Sequence, residues 1–346
     1  MEVVDWGLAR AAGRQLAPGG PRLSESDARA AVADLRALAR YAVDPVRERT
    51  GLDAGDAPDA VVVDRGAWVD SNVDGFRTVL APLLERLATA QPSLLTAVGS
   101  RVTALQMGGV LAYLSGKVLG QYEAFTPTAS GRLLLVAPNI VAAERQLDVE
   151  PRDFRLWVCL HEETHRVQFS AVPWLSQHLI GEIHDYLALS DVGAGEAVSR
   201  ISAAVGAVLS ALRGGTGSLV DAMQTPEQQV VFDRITALMS LLEGHADFVM
   251  DDVGPQIVPT VATIRARFDR RRGEAGAVDG VARRLLGIDA KMRQYSEGRA
   301  FVAGAVERVG LVGFNRVWSQ KSALPTHAEV LDPAAWCARV SPDLLG

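Results

Sequence analysis

The chain has very little cysteine, with two residues in 346, Cys159 and Cys337. A pair so far apart in sequence does not indicate the disulfide framework that small secreted proteins use. The beginning of the chain also lacks the basic segment and the apolar core of a signal peptide. We therefore expect a cytoplasmic protein.

Long hydrophobic runs and an excess of positive charge are also missing. The most apolar stretches, residues 102–119 and 201–212, are short or are interrupted by polar residues and glycines, so we expect no membrane span. The formal net charge is −6, which does not indicate a nucleic-acid-binding protein. With 48% hydrophobic and 22% charged residues, the composition is that of an ordinary globular protein.

Two of the six histidines stand four residues apart in the motif His161-Glu162-x-x-His165. No glycine or proline interrupts residues 154–169, and Pro151 stands where a first-turn proline belongs, so the segment is predicted to be a helix. Residues four apart share one helix face, so both imidazoles can reach one zinc ion. Glu162 lies about 100° round the helix, beside the ion, where it can take a proton from the zinc-bound water.

A catalytic zinc site needs a third protein ligand. The metzincin pattern is absent, because Gln168 and Ala171 occupy its glycine and histidine positions. Glu243 is our first choice, since a capping box at Thr225 predicts the start of a long helix that contains it. Asp247, one turn later, can accept the free N–H of a ligating imidazole. The competitors on a nearer helix are Glu182, His184 and Asp185.

The remaining component is a group that stabilises the oxyanion formed when water adds to a carbonyl. His245, two residues after Glu243, and Tyr295 are the candidates. The alternative for each residue is that its side chain has a structural role and does not contact the substrate.

The rest of the pattern predicts a mainly α protein, α+β at most. Residues 98–122 are predicted to form a buried helix or helix pair, in which Gly116-x-x-x-Gly120 indicates close helix packing. Residues 132–137 are the clearest strand, and its backbone could hold an extended substrate by strand addition. We divide the chain into an N-terminal helical region, residues 1–130, and a catalytic region, residues 131–346, closely packed as one unit.

These motifs resemble a known family, the actinobacterial zincin-like metallopeptidases (type 2). The resemblance is strongest at Trp157-x-x-x-His161-Glu162-x-Thr164-His165-x-x-Gln168-Phe169 and at Leu242-Glu243-Gly244-His245-Ala246. The opening Val4-Asp5-Trp6 is similar to the subgroup named for its association with deazaflavin-coenzyme biosynthesis. The resemblance implies a zincin-like fold, with a short strand before the HExxH helix. It also implies one Zn²⁺ per chain on His161, His165 and Glu243.

We predict a zinc-dependent hydrolase, a metallopeptidase of gluzincin type that cleaves a peptide or amide substrate with water activated by Glu162. One alternative is a non-catalytic accessory or binding protein on the same fold, with the arginines of residues 265–272 and the apolar stretches 98–122 and 201–212 as its partner surfaces. Another is a zinc amidohydrolase that acts on a small metabolite, which the ligand set does not distinguish from a peptidase. The sequence indicates neither the substrate nor the oligomeric state.

Overall fold

The computed structural model describes residues 3–55, 58–90, 97–124, 131–189, 225–273 and 288–345. This part of the chain is mainly helical with one small sheet, which confirms the predicted fold class. The helices described are α1 (Trp6–Leu16), α2 (Glu25–Thr50), α3 (Arg65–Ala90), α4 (Ala97–Ser115), α5 (Ala137–Leu147), α6 (Pro151–Ala171), α7 (Leu175–Ala188), α8 (Pro226–Ile257), α9 (Val261–Gly273), α10 (Ile288–Phe314), α11 (His327–Leu331) and α12 (Pro333–Val340). The strands are β1 (Val61–Val63), β2 (Gly120–Glu123) and β3 (Arg132–Val136).

The three strands form one sheet in the order β1-β3-β2. Strand β1 runs parallel to β3, with Val62 opposite Leu135. Strand β2 runs antiparallel to β3, with Gln121 opposite Leu134. The clearest strand of the sequence is thus the central one. Our suggestion that it binds an extended substrate is wrong, because its two sides already pair with β1 and β2.

Strand β2 also corrects the prediction for residues 98–122. Helix α4 ends at Ser115, and the chain turns before Gly120 begins the strand. A Cβ built on Gly116 would lie 2.8 Å from Pro18 Cγ, whereas one built on Gly120 would meet the side chain of Glu162. The two glycines therefore do not form a helix–helix contact. A four-residue strand gives too short a pattern for its period to be recognised.

The sheet lies between two hydrophobic clusters. Leu134 and Val136 of β3 belong to the cluster formed with α1, α3, α4, α7, α10 and most of α8. Leu135 faces the other cluster, formed with α2, α5, α6, α9 and the end of α8. Strands β1 and β2 precede residue 130 in the chain, and β3 follows it. The predicted division at residue 130 therefore separates strands of one sheet, and it stays a prediction.

Helix α6 begins as the sequence predicts. Glu150 is its N-cap, with a side-chain oxygen that accepts from Arg152 N, and Pro151 is the first helical residue. Leu156 and Leu160 are buried in the second cluster. Helix α5 lies between β3 and α6 in the chain, so the strand precedes the HExxH helix but does not lead directly into it.

Helix α8 begins with the predicted capping box, in which Gln228 N donates to Thr225 Oγ1 and Thr225 N donates to Gln228 Oε1. The helix continues through Pro255 to Ile257. Among the helices described, none has both the length and the apolar character that crossing a membrane requires.

Candidate metal centre

Helices α6 and α8 bring three ligand atoms together. His161 Nε2 and His165 Nε2 lie 3.2 Å apart. Glu243 Oε2 is 3.6 Å from His161 Nε2, and Glu243 Oε1 is 3.8 Å from His165 Nε2. Each of the three side chains is partly exposed, with between 13% and 23% of its surface accessible. The cluster can therefore be reached from solvent.

The spacing of these atoms fits a zinc ion. Two ligands bound tetrahedrally at about 2.0–2.1 Å lie about 3.3 Å from each other. The separations of 3.2, 3.6 and 3.8 Å are close to this value. Two imidazoles and one carboxylate are also a ligand set of catalytic zinc, which leaves a fourth position for water or substrate. Within the described residues, His161, His165 and Glu243 form the group that can hold a metal ion.

Glu162 lies beside this cluster, against strand β2. A Cβ built on Gly120 would be 2.6 Å from Glu162 Cδ and 2.9 Å from Glu162 Oε1. The absence of a side chain at Gly120 therefore makes room for the carboxylate. Glu162 is 6% exposed, so its carboxyl group is largely shielded from solvent.

The ring of His165 is held on its far side by Gln168. His165 Nδ1 is 2.9 Å from Gln168 Oε1. Gln168 Nε2 donates to Leu242 O at 2.9 Å and lies 3.1 Å from His245 Nδ1. Gln168 is fully buried, so one internal amide connects a predicted ligand on α6 with the α8 segment that contains Glu243.

His245 lies behind Gln168. Its ring is fully buried and packs against Phe314 and Trp318, with ring centroids 5.5 and 5.4 Å away. Burial lowers the pKa of His245 to about 3, with smaller contributions from the charges of His165 and Arg49, so the ring is neutral. This placement argues against an oxyanion-binding role for His245, because a buried ring cannot contact a substrate.

Asp247 and Met250 occupy the next turns of α8. Asp247 Oδ1 is 3.4 Å from the Arg265 guanidinium, which also forms an ion pair with Asp251 at 2.6 Å. His161 Nδ1 lies 3.2 Å from Met250 Sδ. The predicted role of Asp247 toward a ligating imidazole stays a prediction.

The three competitors for the third ligand lie in other environments. Glu182 pairs with Arg234 Nε at 2.7 Å, and His184 Nε2 lies 3.1 Å from Val79 O. Asp185 is exposed on α7. Their placement favours Glu243. Tyr295 falls within α10, but its side chain lies outside the described residues, so its predicted role stays a prediction.

Two residues beside the cluster, Gly120 and Gln168, have no functional role that the sequence predicts. The sequence predicts helix packing for Gly120, and it places Gln168 at the glycine position of the metzincin pattern and within the motif that resembles the family. A polar residue three positions after His165 lies on the same helix face, and this was the signal for Gln168. For Gly120 the sequence contains no comparable signal, because its contact with Glu162 depends on the pairing of β2.

Comparisons with known proteins agree with this geometry. The family model described as a zincin-like metallopeptidase matches residues 4–337. A solved structure from Chloroflexus aurantiacus, described as "a putative hydrolase with a novel fold", is similar with 30% sequence identity and a TM-score of 0.69. The alignment covers 97% of this chain and 98% of the other. No curated protein matches the chain.

Proposed function

The chain belongs to the zincin-like metallopeptidase family, and from this premise we propose that it is a zinc-dependent hydrolase of gluzincin type that cleaves peptide or amide bonds. The observation that supports the proposal most is the convergence of His161, His165 and Glu243 from two helices. A general base one residue after the first histidine completes the arrangement.

Each residue of the site has a chemical task in this proposal. His161, His165 and Glu243 would hold a zinc ion, and the bound ion would act as a Lewis acid toward the substrate carbonyl and lower the pKa of a bound water to about 7. Glu162 takes the proton of the attacking water and delivers it to the leaving amine. Strand β2 limits where that carboxylate can lie, because the side chain rests on Gly120. Tyr295 remains our candidate for oxyanion stabilisation.

The alternative of a non-catalytic binding protein receives less support. Of the basic cluster proposed as its partner surface, Arg265 forms ion pairs with Asp247 and Asp251. Arg267 donates to Leu147 O and pairs with Asp148 Oδ2. These guanidinium groups already have intramolecular partners. The two apolar stretches, residues 98–122 and 201–212, complete the predicted partner surfaces, and residues 201–212 lie outside the described residues.

We also propose three further properties. They are the cytoplasmic location, the actinobacterial deazaflavin-associated subgroup, and a peptide substrate in preference to a small amide metabolite. The family and the fold do not depend on these properties.

The test is hydrolysis of a peptide library and of small γ-glutamyl amides by the zinc-loaded protein. We expect cleavage by the wild type and a loss of about 10²–10⁴-fold in the Glu162→Gln variant, the range that general-base catalysis contributes. The variant should keep its zinc. Asp185→Asn is the matched carboxylate-to-amide control and should cleave normally. Unchanged hydrolysis in Glu162→Gln would reject the mechanism, and no cleavage by the wild type would favour the binding protein.

A further inference from the structure

The buried amide of Gln168 makes three contacts that determine its orientation. Leu242 O can only accept a hydrogen bond, so the group that faces it at 2.9 Å must be the amide nitrogen, Nε2. The oxygen, Oε1, then faces His165 Nδ1 at 2.9 Å. The assignment of oxygen and nitrogen in this side chain is therefore set by a backbone carbonyl.

The orientation of the amide determines the tautomers of two histidines. Gln168 Oε1 can only accept, so His165 Nδ1 must carry a proton, and the lone pair of the neutral ring is on Nε2. His165 Nε2 is the atom that faces His161 and Glu243. The second amide hydrogen of Gln168 points to His245 Nδ1 at 3.1 Å, which must accept it. The proton of His245 is therefore on Nε2.

The same amide connects two helices. Leu242 precedes Glu243 and His245 follows it by two residues, so both α8 contacts of Gln168 flank the predicted third ligand. Gln168 itself lies one turn after His165 on α6. A single side chain thus fixes the ring of one ligand and the helix segment of another.

We propose that Gln168 is a positioning residue: it holds His165 in the Nδ1–H tautomer, with Nε2 free for a metal ion, and it keeps the Glu243 turn of α8 beside it. The description of these residues as ligands rests on the proposed function. The hydrogen bonds of Gln168 do not depend on that function. Glutamine suits this position because its amide both donates to Leu242 O and accepts from His165. A carboxylate cannot donate to Leu242 O, and methionine, which has a similar length, has neither the amide N–H nor the amide oxygen.

The first measurement is the tautomeric state of the histidines in the full-length, metal-free protein. Nitrogen-15 NMR at pH 8 distinguishes protonated from unprotonated ring nitrogens, and a His165→Asn variant assigns the signals of His165. We expect His165 with its proton on Nδ1 and His245 with its proton on Nε2. A His165 ring protonated on Nε2 would overturn the proposal. This measurement needs no zinc and no substrate, so it decides the proposal even if the hydrolase function fails.

The second measurement is zinc affinity by competition with a chromophoric chelator. Gln168→Met should raise the Kd for zinc about 10–100-fold, the usual effect of removing the partner of a ligating histidine. In the metal-free variant, the His165 signals should lose their bias toward the Nδ1–H form. A variant with unchanged tautomer and unchanged Kd would contradict the proposal.

Asn139→Leu is the matched control. Asn139 is also a buried amide, and it donates to Ser115 O at 2.7 Å and Val118 O at 2.6 Å. Its loss should reduce stability but leave the zinc Kd and the tautomer of His165 as in the wild type. An equal loss of zinc affinity in both variants would show that general destabilisation explains the effect and would overturn the proposal.

Discussion

The carboxylate of Glu162 rests on Gly120, a residue 42 positions earlier in the chain. A Cβ built on Gly120 would lie 2.5 Å from Glu162 Cγ and 2.6 Å from Glu162 Cδ. Gly120 begins strand β2, which pairs on one side with the central strand β3. The predicted general base on α6 is thus positioned by a strand from another part of the chain.

Gly120→Ala should therefore impair turnover without removing zinc. The added methyl group overlaps Glu162, and a displacement of about 1 Å in a catalytic group can cost about 10²-fold in rate. Hydrolysis and zinc content are measured on the same sample. Gly109→Ala is the control, because nothing lies within 4 Å of its Cβ. Full activity in Gly120→Ala would show that strand β2 does not position Glu162.

Glu243→Gln should weaken zinc binding, because the amide removes the negative charge among the three ligand atoms. We expect the Kd for zinc to rise more than about 100-fold, above the usual effect of changing a ligand's partner. Chelator competition measures the Kd. The corresponding change at Glu182, which pairs with Arg234, should leave the Kd unchanged. A higher Kd after the change at Glu182, together with an unchanged Kd in Glu243→Gln, would assign the third ligand to α7.

Zinc should stabilise the fold. A ligand at 100 times its Kd adds about 2.7 kcal/mol to the free energy of unfolding when it binds the folded state only. We expect Tm to rise on zinc addition to the metal-free wild type, and this rise should largely disappear in His165→Asn. His327→Asn, on α11, is the control that retains it. An equal rise in all three proteins would place the zinc elsewhere.

Gly244→Ala should destabilise the protein. A Cβ at Gly244 would overlap the backbone of Gly298, and one at Gly298 would overlap Ser240 O, so α8 and α10 meet there without side chains. Overpacking of this kind typically costs about 1–3 kcal/mol. Urea unfolding measures the change. Gly181→Ala, whose Cβ meets nothing within 4 Å, should be neutral or slightly stabilising. Equal stability of the two variants would contradict the close contact.

Local patterns predicted the helices better than the contacts between them. The HExxH helix is recognisable because its ligands, its proline and its apolar residues lie within 21 residues. Glu243 is predictable from its own helix, through the capping box at Thr225 and the residues around it. The burial of His245, by contrast, depends on Phe314 and Trp318, which no local pattern connects to it. Strand β2 is not recognisable from the sequence, because its pattern has only four residues and its pairing with β3 is not encoded in them.

The most direct test of the zinc site is anomalous scattering at the zinc absorption edge from crystals of the zinc-loaded protein. We predict one peak per chain, at about 2.0–2.2 Å from His161 Nε2, His165 Nε2 and a carboxylate oxygen of Glu243. The ion should keep one coordination position open for water beside Glu162. The absence of a peak at the histidine pair, or a peak there with Glu243 beyond coordinating distance, would contradict the proposed site.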